Sequence, residues 1–117
     1  MKEYKKYIIK KNYHISEVIG KRNVNGNKYF TVYKAKNNLD HFRYAISIGR
    51  KYGNAVERNR IKRQIRHIIY QLTSEICSNY DIVIIVKPKA KELETYDRIL
   101  KQLKHVLTKG KILMRED

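Results

Sequence analysis

Between Gly53 and Arg66 the chain reads GNAVERNRIKRQIR, and the side chains there that could do chemistry are cations. Five Lys/Arg residues, Arg58, Arg60, Lys62, Arg63 and Arg66, fall within nine positions. At about 100° per residue, Ile61, Ile65, Ile68, Ile69 and Leu72 share one arc and predict the core face of a helix. Lys62, Arg66, Asn59 and Arg63 follow around the wheel, with Arg60 and His67 flanking them. A solvated helix usually interleaves both signs, yet here only Glu57 opposes the cations, which repel one another unless a polyanion binds them. Arginine pairs bidentately with phosphate and stacks on bases, while lysine supplies a point charge. The mixture predicts recognition of backbone and shape more than a base code.

Catalysis by the protein itself is poorly provided for. A protein nuclease needs clustered acids to hold metal, or a positioned histidine base. Glu17, Asp40, Glu57, Glu75, Asp81, Glu92, Glu94 and Asp97 are scattered without ligand spacing, and His14, His41, His67 and His105 form no HxxxH pair. We therefore assign no catalytic residue, no metal ligand and no small-molecule substrate. Cys77 is the only cysteine, which rules out an intrachain disulfide and a thiol-rich metal site and fits a reducing, cytoplasmic setting. It reads as a small apolar filler.

The rest of the composition agrees with a polyanionic partner. Lys plus Arg number 27 against 11 Asp plus Glu, a net charge of +16, so the compact state repels itself until that charge is offset, most commonly by nucleic acid. A membrane is disfavoured: the longest apolar run, Ile82 to Val86, falls far short of the roughly 18 residues of a spanning helix. The N-terminal MKEYKKYIIKKNYH lacks the apolar core and cleavage site of a secretory signal. Ten tyrosines stand beside two phenylalanines and no tryptophan. Flat rings on a basic surface suit unpaired bases, although any single tyrosine is more simply a core-edge residue.

At 117 residues the chain predicts one domain, 1–117, with a frayed tail over 109–117. Ile15, Val18 and Ile19 mark one face of a short helix over 11–19, with Asn12 as its cap. NVNGN at 23–27 predicts a turn or short edge strand. YFTVYKAK over 29–36 alternates Phe30 and Val32 against Tyr29, Thr31, Tyr33 and Ala35, and a second alternating run covers 42–48; short-linked, the two predict a hairpin. Asn54 and Glu57 have capping-box spacing and predict a helix from about Ala55 to Thr73. The β-branched run DIVIIV before Pro88 predicts a central strand buried on both faces. Apolar spacing from Leu93 to Leu107 predicts a helix over 92–108. The order describes an α+β two-layer sandwich, about four strands with three helices, the helices covering one sheet face and leaving the other open.

GNAVxRNRxKRxxR, present as Gly53 to Arg66, closely resembles the signature of the bacterial ribonuclease P protein family, with Arg58, Asn59 and Arg60 as its RNR triplet. The resemblance continues through KKN at 10–12, FTVY at 30–33, AISIGRK at 45–51, DIVIIV at 81–86 and the final helix. It implies a left-handed βαβ crossover through the Arg-rich helix, where pattern reasoning alone predicts the right-handed form. It also implies the protein subunit of an enzyme that removes the 5′ leader from precursor tRNA, in which a large RNA holds the catalytic centre and its magnesium ions. The implied partners are that catalytic RNA and precursor tRNA.

By the same resemblance, Arg58, Asn59, Arg60, Lys62, Arg63 and Arg66, with Arg50 and Lys51 beyond them, are the RNA-binding residues. A cleft between the first helix and the sheet, with Tyr33, Tyr29, Ile15, Ile19 and Lys11, receives the single-stranded leader. Two departures stand out. The family commonly carries two phenylalanines on the first helix where this chain has Ile15 and Ile19, and serine in many relatives where it has Gly49. Isoleucine packs but does not stack, so either packing and charge hold the leader, or Tyr13 or Tyr29 supplies the ring, or leader affinity is weaker. Competing readings are an RNA chaperone or ribosome-associated protein without a processing role, a protein-only nuclease, and a DNA-binding module.

Overall fold

The computed structural model describes residues 3–114. Its elements are α1 (Asn12–Gly20), β1 (Val24–Gly26), β2 (Phe30–Lys36), β3 (Arg43–Ile48), α2 (Ala55–Gln71), β4 (Tyr80–Val86) and α3 (Tyr96–Lys109), with short 3-10 helices between some of them. The four strands form a mixed sheet in the order β1-β2-β4-β3.

The expected hairpin between the second and third strands does not form. Instead β4 lies between them, antiparallel to β2 with Tyr33 opposite Val83, and parallel to β3 with Ala45 opposite Val83. The reason lies in the composition of β4. Ile82, Val83 and Ile84 are fully buried, and a strand apolar on both sides is satisfied only at the centre of a sheet covered on both faces. Placing it there leaves β3 parallel to it, and a parallel neighbour requires a crossover, which α2 supplies.

The main core lies on one side of the sheet. Phe30, Val32, Tyr44, Ile82, Ile84 and Val86 pack there against Ile61, Ile65, Ile68 and Ile69 of α2 and Ile99, Leu103, Val106 and Leu107 of α3. The other side is not open, contrary to expectation. The first helix crosses it, in contact with β2 and β4. Val18 of α1 and Val83 of β4 are buried outside the main cluster, so a second, thin layer of packing forms where the helix crosses.

Three further expectations are corrected. Helix α1 begins at Asn12 itself, with Lys11 in the cap position and no side-chain cap bond, so Asn12 is not the cap. The final helix starts at Tyr96, because Pro88 opens a separate 3-10 turn, Pro88–Leu93, that ends at Glu94 in a positive-φ conformation. The tail is not frayed as far as it is described. Ile112 and Leu113 are buried, Leu113 bridges Ile76, and Cys77 N–H donates to the Ile112 carbonyl at 2.8 Å. Residues 115–117 lie outside the described residues.

Candidate nucleic-acid interface

The start of α2 is built by a clamp around Gly53. Asn54 Oδ1 accepts from Glu57 N–H, and Glu57 Oε1 accepts from Asn54 N–H, each at 2.9 Å, which completes the predicted capping box. The carboxylate of Glu57 comes so close to Gly53 that any Cβ there would collide with it. Arg58 Nη1 donates to the Gly53 carbonyl at 2.6 Å. Glu57 also pairs with Lys91 at 2.8 Å, and that bond, with the one from Asn54, holds its carboxyl below the usual carboxylate range. A side chain at position 53 would have to push aside the Glu57 carboxylate, which the cap and Lys91 hold in place.

The cations that follow are left with solvent. Arg60, Arg63 and Arg66 are exposed along with Asn59, whereas Arg58 and Lys62 are half-buried beside the core arc. Among the described residues no salt bridge involves Arg58, Arg60, Lys62, Arg63 or Arg66. Val56, 77% exposed, lies on the same outward side about two turns before Arg63. This face can bind phosphate without first breaking internal ion pairs, and Arg58 alone has prior work as part of the Gly53 clamp.

The second region is the groove where α1 crosses the sheet. By strand alternation Thr31, Tyr33 and Ala35 of β2, Val83 of β4 and Ala45 of β3 share this face. Tyr33 is half-buried, and Ile15 and Ile19 of α1 are half-buried on either side of the fully packed Val18. Lys11 is exposed at one end, just beyond Ile9, which donates to the Tyr44 carbonyl. Arg50 and Lys51 are exposed in the 3-10 turn after β3, past the other end of the sheet, where Ile48 pairs with Val86. Tyr29 is not brought to this group; it is half-buried against the main core. Tyr13, 57% exposed on α1, lies with its ring against His14.

Under the groove sits a feature that sequence reading missed. Asp81, at the head of the buried strand, accepts from Arg43 Nε at 2.9 Å and Nη2 at 2.6 Å and from Asn37 Nδ2 at 2.8 Å. Burial works to raise the Asp81 carboxyl, but the hydrogen bonds from Arg43 and Asn37 outweigh it and hold the group below its ordinary value. Asn37 also receives Leu39 N–H and reaches the His41 carbonyl, so the same carboxylate fixes the turn between β2 and β3. The available signal was an acid opening an otherwise apolar strand, with one arginine on the alternate face of β3.

The comparisons with known proteins fall on this arrangement. The family model described as Ribonuclease P matches residues 4–111. A ribonuclease P protein component of Acholeplasma laidlawii is 39% identical over 110 residues, covering 94% of each chain. One from Bacillus mycoides is 45% identical over 107 residues, covering 91% of this chain and 92% of that one. Among solved structures, a Staphylococcus aureus RNase P protein mutant with defective mRNA degradation activity superposes with a TM-score of 0.89 at 39% identity, covering 95% and 93% of the two chains. The RNase P protein from Thermotoga maritima does so at 0.80 and 28%, covering 86% and 94%. With its sequence matched almost from end to end and its mixed four-stranded sheet and three helices shared with solved members, the chain belongs to the ribonuclease P protein family.

Proposed function

We propose that this subunit of ribonuclease P docks on the catalytic RNA through the outward side of α2, and receives the single-stranded 5′ leader of precursor tRNA in the groove beneath α1. The observation that carries the reading is the row Arg60, Arg63 and Arg66, exposed and without an acid partner among the described residues. Phosphate contacts of this kind dominate affinity and make it steeply salt-dependent. The groove suits a single strand for a different reason: it offers a tyrosine face and small side chains along its floor, with Lys11 at one end and Arg50 and Lys51 at the other.

In this reading the RNA performs the cleavage, and the protein screens repulsion between two polyanions and so favours magnesium occupancy on the RNA. Following what the family resemblance implies, we assign the magnesium to the RNA and route no step through the protein. The test is reconstitution. Adding the protein to the catalytic RNA at low magnesium should restore leader removal, while the protein alone cleaves nothing. No stimulation, or cleavage by protein alone, overturns the reading.

A further inference from the structure

Helix α3 carries a second cationic strip to which no role has been given. Ile99, Leu103, Val106 and Leu107 face the core, and the opposite side presents Arg98, Lys101, Lys104 and His105, all exposed. Asp97 is the only acid in the helix. Elsewhere the protein pairs its lysines where an acid is near, as with Lys91 and Glu57 or Lys89 and Glu92. No salt bridge involves Arg98, Lys101 or Lys104 among the described residues. Lys109 is excluded from the strip, because its ammonium donates to the Gly26 carbonyl at 3.2 Å.

The strip is joined to the α2 face. Both helices pack on the same side of the sheet, and the His67 and Tyr96 rings meet across their seam with centroids 5.5 Å apart, while Tyr96 Oη donates to the Gln71 side chain. With both core faces turned to the sheet, the two exposed sides look the same way and form one plate, its polar surface almost free of acids.

We infer that α3 is a second RNA-docking strip: Arg98, Lys101 and Lys104 bind the sugar-phosphate backbone of a stretch of the catalytic RNA adjacent to the one held by α2. The inference rests on the proposed assembly with that RNA and extends its footprint from one helix to two. Charge complementarity selects the occupant. Three exposed cations, two of them lysines that act as point charges, suit phosphates rather than base edges.

The experiment is the salt dependence of binding of the full chain to the ribonuclease P RNA. Each phosphate contact contributes roughly 0.7 to 0.9 to the slope of log affinity against log salt, so three should contribute about 2. The triple variant Arg98→Gln, Lys101→Gln, Lys104→Gln should flatten the slope by about 2 and weaken binding more than tenfold at 0.15 M salt. A control triple, Lys5→Gln, Lys21→Gln, Lys36→Gln, removes equal charge away from the plate and should change the slope by less than half as much. Equal slopes for the two triples, or an unchanged slope for the α3 triple while Arg63→Ala with Arg66→Ala still flattens it, overturns the α3 strip and leaves the α2 reading standing. Unchanged slopes for all three overturn both.

Discussion

The α2 face and the α1 groove stand on opposite sides of one sheet and are made by opposite means. The face is local: one helix, a capping box at its start, and cations that recur with the helical repeat within nine positions. The groove is assembled from α1, the three strands β2, β4 and β3 and the turns at their ends, and its floor depends on the insertion of β4 between β2 and β3. A local surface loses binding when its side chains are cut but keeps its shape. An assembled one is exposed to changes in the packing beneath it.

The largest effect should come from the local surface. Arg63→Ala with Arg66→Ala removes two exposed guanidinium groups that have no acid partner among the described residues; at about 1.5 kcal/mol for each charge-assisted bond lost, affinity for the catalytic RNA should fall about 100-fold. Melting temperature should hardly move, since neither side chain is in the core. The preference for precursor over mature tRNA, measured on the saturated complex, should survive. If that preference collapses in step with assembly, the two surfaces are not separate.

Next comes the support of the groove. Arg43→Met strips Asp81 of its bidentate partner and leaves a buried carboxylate with only Asn37. Breaking a fully buried pair costs about 3–5 kcal/mol; with Arg43 about a fifth exposed and one hydrogen bond retained, we expect about 2 kcal/mol in urea unfolding. The pH dependence has a definite sign. The Asp81 carboxyl is lowered in the fold, so its contribution is present above the unfolded carboxylate value near 4 and is lost as pH falls through the lower folded value. Asp81→Asn should remove that part of the acid destabilisation. An unaltered melting profile between pH 5 and 2.5 would show that the network does not carry it.

A smaller and more selective loss is expected inside the groove. Stacking on one base is worth about 1–3 kcal/mol, and Tyr33 is only half available. Tyr33→Ala should therefore weaken precursor tRNA about tenfold and leave mature tRNA nearly unchanged. Equal losses for the two substrates would take Tyr33 out of leader recognition and place it in the packing of the sheet.

The same contrast explains what could be read in the sequence. The α2 helix, its cap and its core arc were legible because each depends on residues within a few positions of one another. The β2–β3 hairpin was misread because nearness in sequence favoured it, while the competing demand came from a strand more than 30 residues later that needed burial on both sides. Ile112 and Leu113 looked like a frayed end for a similar reason: their partners, Ile76 and Cys77, are supplied only by the folded chain. Asp81 was counted among scattered acids because pairing with Arg43 and Asn37 spans 38 and 44 positions. At the groove, Tyr33 could be assigned by alternation, but Tyr29, one step outside the paired register, turns to the main core.

The smallest effect sharpens the comparison most, because it asks whether the groove is short of aromatic surface. Ile15 and Ile19 flank the buried Val18 and are each only half-buried, so a larger side chain at either can extend along the open side without displacing the packed one. Replacing both with phenylalanine adds two rings to this helix. If the rings reach the leader, precursor affinity should rise about three- to tenfold, less than the full value of two stacked bases because the rings also bury against the helix and sheet. Affinity for mature tRNA and the salt slope for the catalytic RNA should stay fixed, since no charge changes and α2 lies across the sheet. A gain shared equally by precursor and mature tRNA would mean that the rings act on fold stability or on the α2 side. No gain for the folded double variant would count against a leader base lying within reach of α1, and would confine any stacking in the groove to Tyr33.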